Sequence, residues 1–252
     1  MITSQLLVSD GETMITKTLL RALKPFRLVS LVLTYSLGAG LVQYVRVIRT
    51  WPGFIQGLIF LLLLNTSLEF LRLLHTLREG NNWPEGMLLK EARQVRLLIA
   101  VITGTFLTVS TTIFIGWMLG DILWQGLGFL SLAVVILGAF YYLSTTIDDL
   151  RPYQILIEAL LFIVIPPAMA FFIQSDDLHR LLTLVVIGLV PAYMAYRCVV
   201  FLKRFPQDYK KDNATAVIQI GWERTMFLHN SLILLTCRLF APVSAPGFPL
   251  IL

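Results

Sequence analysis

The sequence predicts an all-α, polytopic transmembrane bundle of about seven spans. Of its 252 residues, 57% are hydrophobic and only 14% charged, where a soluble domain carries about 25% charged residues. Mean hydropathy is +0.78. Seven apolar stretches are each long enough to cross a hydrocarbon layer of about 30 Å at about 1.5 Å per residue: roughly 28–48, 54–74, 97–119, 122–143, 155–173, 181–202 and 225–243.

The net charge of +5 is not a nucleic-acid footprint, because the basic residues sit between spans rather than in one patch. They report orientation instead. With the N-terminus and the long loops 75–96 and 203–224 in the cytoplasm, 15 of the 20 Lys+Arg fall on the inner side, as the positive-inside rule favours. Only Arg46, Arg49, Arg180 and Arg238 fall outside, and Arg197 lies within a span. The chain is thus expected to be an integral multi-pass membrane protein whose first span acts as an uncleaved anchor.

In chain order, residues 1–24 read as a cytoplasmic amphipathic segment, with Ile15, Leu19 and Leu23 set against Lys17, Arg21 and Lys24. Pro25 interrupts it before the first span. Residues 25–243 form the bundle and 244–252 a Pro-rich tail. Trp51 and Pro52 mark an outer turn. The third span is rich in Thr and Gly, which suits close helix packing in lipid. Tyr141 and Tyr142 close the fourth span as interfacial aromatics. Pro166, Pro167 and Pro191 should kink the fifth and sixth spans and open a pocket between them. Cys198 and Cys237 read as packing residues.

The second span carries the chain's main polar signal. Asn65, Glu69, Arg72 and Thr76 recur at i, i+4, i+7 and i+11, one stripe on a Leu-rich helix. A charged side chain facing lipid costs roughly 2.5–3.5 kcal/mol on insertion scales, so the stripe should face the bundle interior. Carboxylate-bearing cytoplasmic loops above such a bundle suit a magnesium–diphosphate site. Mg²⁺ takes hard oxygen ligands while Lys and Arg neutralise phosphate, and an apolar cavity below would hold an isoprenoid tail.

Several segments resemble the UbiA-type intramembrane prenyltransferases. Lys24-Pro25-Phe26-Arg27-Leu28 is similar to the family's opening Arg-Pro-Phe-x-Leu. Pro84-Glu85-Gly86 with Lys90-Glu91-Ala92, Tyr141-Tyr142, Glu158 through Pro166, and Thr215 through Gly221 resemble later segments in the same order. The first family motif, Asn-Asp-x-x-Asp, corresponds to Asn65-Thr66-Ser67-Leu68-Glu69. The second, Asp-x-x-x-Asp, ends on Asp208 when counted back from Gly221, which puts Arg204 where its first Asp belongs. The chain thus offers about half of the family's usual carboxylates, and seven spans where the family has nine.

The resemblance implies prenyl transfer from a polyprenyl diphosphate to an aromatic or quinone-precursor acceptor. Glu69 and Asp208 would be the catalytic, Mg²⁺-holding pair. Asn65, Arg72, Lys203 and Arg204 would bind the diphosphate, and Tyr141 or Tyr142 would border the reacting carbons. The alternative is a non-catalytic relative, a structural or lipid-, quinone- or pigment-binding subunit of a larger membrane complex, with Glu69 and Arg72 as an internal polar clasp.

Overall fold

The computed structural model describes residues 25–45, 51–78, 89–119, 122–175, 179–210 and 216–244, and every regular element among them is helical. The expected amphipathic segment at 1–24, most of the tail and the loop residues 79–88 and 211–215 lie outside the described residues. Helix α1 runs Pro25–Val45. Proline suits this first position, where its missing N–H has no helical acceptor. Helices α2 (Trp51–Arg78), α3 (Leu89–Met118) and α4 (Ile122–Thr146) follow. The two long loops are shorter than expected, because helix already begins at Leu89 and continues to Lys210.

The fifth span is composite. A 3-10 turn (Asp148–Tyr153) leads into α5 (Gln154–Ala159), a π segment (Leu160–Val164) and α6 (Ile165–Ser175). The irregularity follows from Pro166-Pro167, which deny N–H donors to the preceding turn. Helix α7 (Arg180–Lys210) remains continuous through Pro191 and Pro206. After the short α8 (Ala216–Ile220), Gly221 turns the chain at φ +92°, a conformation that costs glycine little. Helix α9 (Trp222–Ser244) then lies antiparallel against α7. His229 reaches the carbonyl of Ala195, and Phe240 covers Gly188.

Six of these spans are long and apolar enough to cross a membrane: Arg27–Val45, Trp51–His75, Arg93–Met118, Gly126–Ser144, Leu150–Ser175 and Arg180–Pro206. The chain is therefore compatible with an integral multi-pass membrane protein. The expected seventh span, α9, is a helix but carries Glu223, Arg224, His229, Asn230 and Arg238 and is not among the six.

The composite fifth span is the central post, with 72% of its apolar window buried, against 17% for α3. Around it, Leu31, Tyr35, Phe60, Leu64, Leu127, Val134, Phe162 and Met169 form the main core. Helix α1 meets the post without an intervening side chain. A Cβ on Gly38 would lie 2.3 Å from the carbonyl oxygen of Pro167, so only glycine permits this approach, as at close crossings in lipid. The Thr-rich third span differs from expectation. Thr105, Thr108, Thr111 and Thr112 are exposed, and each donates its hydroxyl to the carbonyl four residues back. That bond makes the hydroxyl tolerable on a lipid-facing surface.

Candidate functional site: a buried charged clasp

Five spans bring polar side chains to one end of the bundle: the start of α1, the ends of α2 and α4, the start of the fifth span and the later half of α7. Adjacent spans run in opposite directions, so these are the ends that an alternating topology places on one side. The polar stripe of α2 faces inward there. Asn65 and Glu69 are buried, Glu69 to 2% exposure, and Arg72 is half-buried. The side chain of Thr76 lies outside the described set.

Arg27 is the hub. Its Nη1 donates to Glu69 Oε1 and to the Tyr141 hydroxyl, and its Nη2 donates to Glu158 Oε1 at 2.7 Å. Tyr141 donates its own proton to Glu69 Oε1 at 3.0 Å and accepts from Arg72 Nη1 at 3.3 Å. The hydroxyl thus uses both its donor and its acceptor capacity. Glu158, fully buried, takes a second hydrogen bond from Gln154 Nε2 at 2.9 Å, and its other oxygen lies 2.5 Å from Arg197 Nε. That last contact is an ion pair without hydrogen-bond alignment. The Arg27 guanidinium also lies over the rings of Tyr141 and Phe162, at 5.5 and 5.8 Å, a cation–π arrangement.

Arg27, Arg197, Glu69 and Glu158 each have an opposite partner, the condition under which buried ions are tolerated, whereas Arg72 joins through the neutral Tyr141 hydroxyl. Three guanidiniums (Arg27, Arg72, Arg197) meet two carboxylates (Glu69, Glu158), leaving one positive charge in surplus among the described residues.

Of the residues singled out in the sequence, Glu69, Arg72 and Tyr141 come together here. Asn65 lies one turn from Glu69, but neither end of its amide has a hydrogen-bond partner. Tyr142 stands apart, half-buried, with its ring edge-on to His75 at 6.2 Å. Tyr141 is no interfacial aromatic; it is 1% exposed.

The described residues show only part of the second motif. Lys203 and Arg204 are exposed, and the side chain of Asp208 lies outside the described residues. Among the described residues, α2 and α7 are not a closely packed pair. Helix α7 instead reaches the site through Arg197, a turn and a half before Lys203.

Sequence reasoning assigned Arg27 to topology and left Arg197 and Glu158 without roles. Their signal was available: each is a charge inside or at the edge of an apolar window, which marks it as functional or paired.

A Mg²⁺ site fits these groups poorly. A guanidinium sits against each buried carboxylate, where a cation would have to bind, and no cluster of three or more His, Cys, Asp or Glu exists among the described residues. A small cavity lies beside the clasp. The cavity there, lined by Leu31, Leu61, Leu64, Asn65, Leu68, Val134, Leu161 and Phe162, has room for about one water molecule. No family model, curated protein or solved structure matches the chain.

Proposed function

We propose that the protein is a non-catalytic, UbiA-like multi-pass membrane protein. It serves as a structural or lipid-, quinone- or pigment-binding subunit of a larger membrane complex, with α9 crossing beside α7 as the seventh span and the clasp end facing the cytoplasm. The observation that carries this reading is the engagement of Glu69. Its carboxylate, the best candidate metal ligand in the sequence, is bound to Arg27 and Tyr141. A carboxylate neutralised by a guanidinium at bonding distance is a poor ligand for a second cation.

A second reading, prenyl transfer from a polyprenyl diphosphate, is favoured by the surplus positive charge of the clasp, which suits a phosphate. One experiment separates the two. Purified protein in lipid nanodiscs is given Mg²⁺ and prenyl diphosphates of several chain lengths with aromatic acceptors, and divalent-ion binding is measured by calorimetry on the same sample. The scaffold reading expects neither turnover nor Mg²⁺ binding that depends on Glu69 and Asp208. Product formation by the wild type, abolished in Glu69→Gln/Asp208→Asn, overturns it.

A further inference from the structure

The cavity beside Asn65 contains two kinds of unmet hydrogen-bonding capacity. The Asn65 side chain is 5% exposed, and both its oxygen and its nitrogen lack partners. Burying an amide without hydrogen-bond partners is unfavourable, so an isolated Asn among leucines calls for an occupant. Across the cavity is the π segment. There the N–H of Ile165 goes to the carbonyl of Leu160, so the Leu161 carbonyl loses its i+4 donor. Its i+5 residue is Pro166, which has no N–H.

The neighbouring carbonyl, Phe162, is in the same position, since residues i+4 and i+5 are both proline. A donor reaches it from outside the helix: Thr34 Oγ1 of α1 lies 2.9 Å away, closer than to the Ser30 and Leu31 carbonyls of its own helix, which share its one proton. Among the described residues no side chain does the same for Leu161. Asn65, Leu161 and Phe162 all line the same cavity.

We propose that this cavity is a binding site for a single hydroxyl oxygen, either a water molecule or the terminal hydroxyl of a slender amphiphile. That oxygen accepts a hydrogen bond from the Asn65 amide and donates one to the Leu161 carbonyl. The chemistry selects the ligand, because the group must donate as well as accept. A ketone, ester or quinone carbonyl would satisfy only the Asn65 N–H₂ and leave Leu161 unmet. The volume, about that of one water, excludes a branched or ring-bearing group at this point. The site lies one helical turn from Glu69, directly beneath the clasp.

The chain has five asparagines, so selective ¹⁵N-asparagine labelling in nanodiscs gives five side-chain amide pairs, and the pair lost in Asn65→Leu is that of Asn65. Magnetisation transfer from this pair to a proton at the water frequency supports the site with water as its occupant. Transfer to a non-protein resonance that disappears on delipidation supports it with an amphiphile hydroxyl. A density map of the wild type at a resolution that shows waters tests the site even if the variant fails to fold. It is expected to show a peak within hydrogen-bond reach of Asn65. An empty cavity, or an Asn65 amide turned onto a protein partner, overturns the proposal.

Discussion

Arg27 and Glu158 lie 131 residues apart and meet at 2.7 Å, tying the first span to the central fifth one. Around this contact the clasp gathers Glu69, Tyr141 and Arg197 from three other spans. Few covalently distant groups in the bundle are so dependent on one another. Deleting one partner leaves the others as uncompensated charges in a medium that solvates them poorly.

Glu158→Gln leaves Arg197 without its carboxylate and Arg27 with Glu69 alone, and is expected to lower stability by about 3–5 kcal/mol, read from denaturation in mixed detergent micelles. In the double variant with Arg197→Met the losses should not add, with a coupling of about 0.5–3 kcal/mol for groups in one network. Strict additivity would show that the Arg197 contact contributes nothing.

Gly38 and Gly40 make a matched pair. A methyl group at residue 38 meets the backbone of Pro167 at 2.3 Å, whereas residue 40 has open space around it. Gly38→Ala should destabilise by about 1–3 kcal/mol through forced separation of α1 and α6. Gly40→Ala should be neutral or stabilising by up to about 1 kcal/mol, since alanine is the better helix former. Equal effects in thermal unfolding would contradict the close crossing.

Thr34 can be separated from its shape. Thr34→Val keeps the volume but removes the proton that serves the Phe162 carbonyl, and should cost about 1–3 kcal/mol for a buried acceptor left unmet. Thr34→Ser retains the donor and should recover most of this loss. A valine variant as stable as wild type would show that the π segment satisfies itself.

Lys203 and Arg204 are exposed and make no side-chain hydrogen bond or ion pair among the described residues, so Lys203→Ala and Arg204→Ala should shift stability by no more than about 0.5 kcal/mol. On the scaffold reading they also leave diphosphate binding by the purified protein unchanged. A large loss of diphosphate affinity in either variant would restore the second motif to a functional role.

The spans were legible because length and apolarity are local properties of a segment, and the inward direction of Asn65 and Glu69 was legible because a helical period is read within one helix. The clasp was not. Arg27 bonds residues 42, 114 and 131 positions away, and no periodicity within α1 reports which distant carboxylate an arginine will meet. Pro166-Pro167 announced an irregularity but not its form, because whether proline kinks a helix or widens its preceding turn depends on outside donors such as Thr34. Motif spacing pointed to Lys203, Arg204 and Asp208 and passed over Arg197, a charge within an apolar run that carries the contact from α7.

The separation of Arg27 from Glu158 also imposes an order on biogenesis. At a synthesis rate of about 5–20 residues per second, the ribosome needs roughly 7–26 s to add the 131 residues between them. For that interval Arg27 has left the ribosome without its central carboxylate, so the first span must be held by the insertion machinery or sit shallowly until the fifth arrives. Nascent chains stalled before Glu158 should therefore leave the start of the first span open to aqueous labelling through an engineered Leu28→Cys, with Arg27 retained, and chains stalled well after it should not.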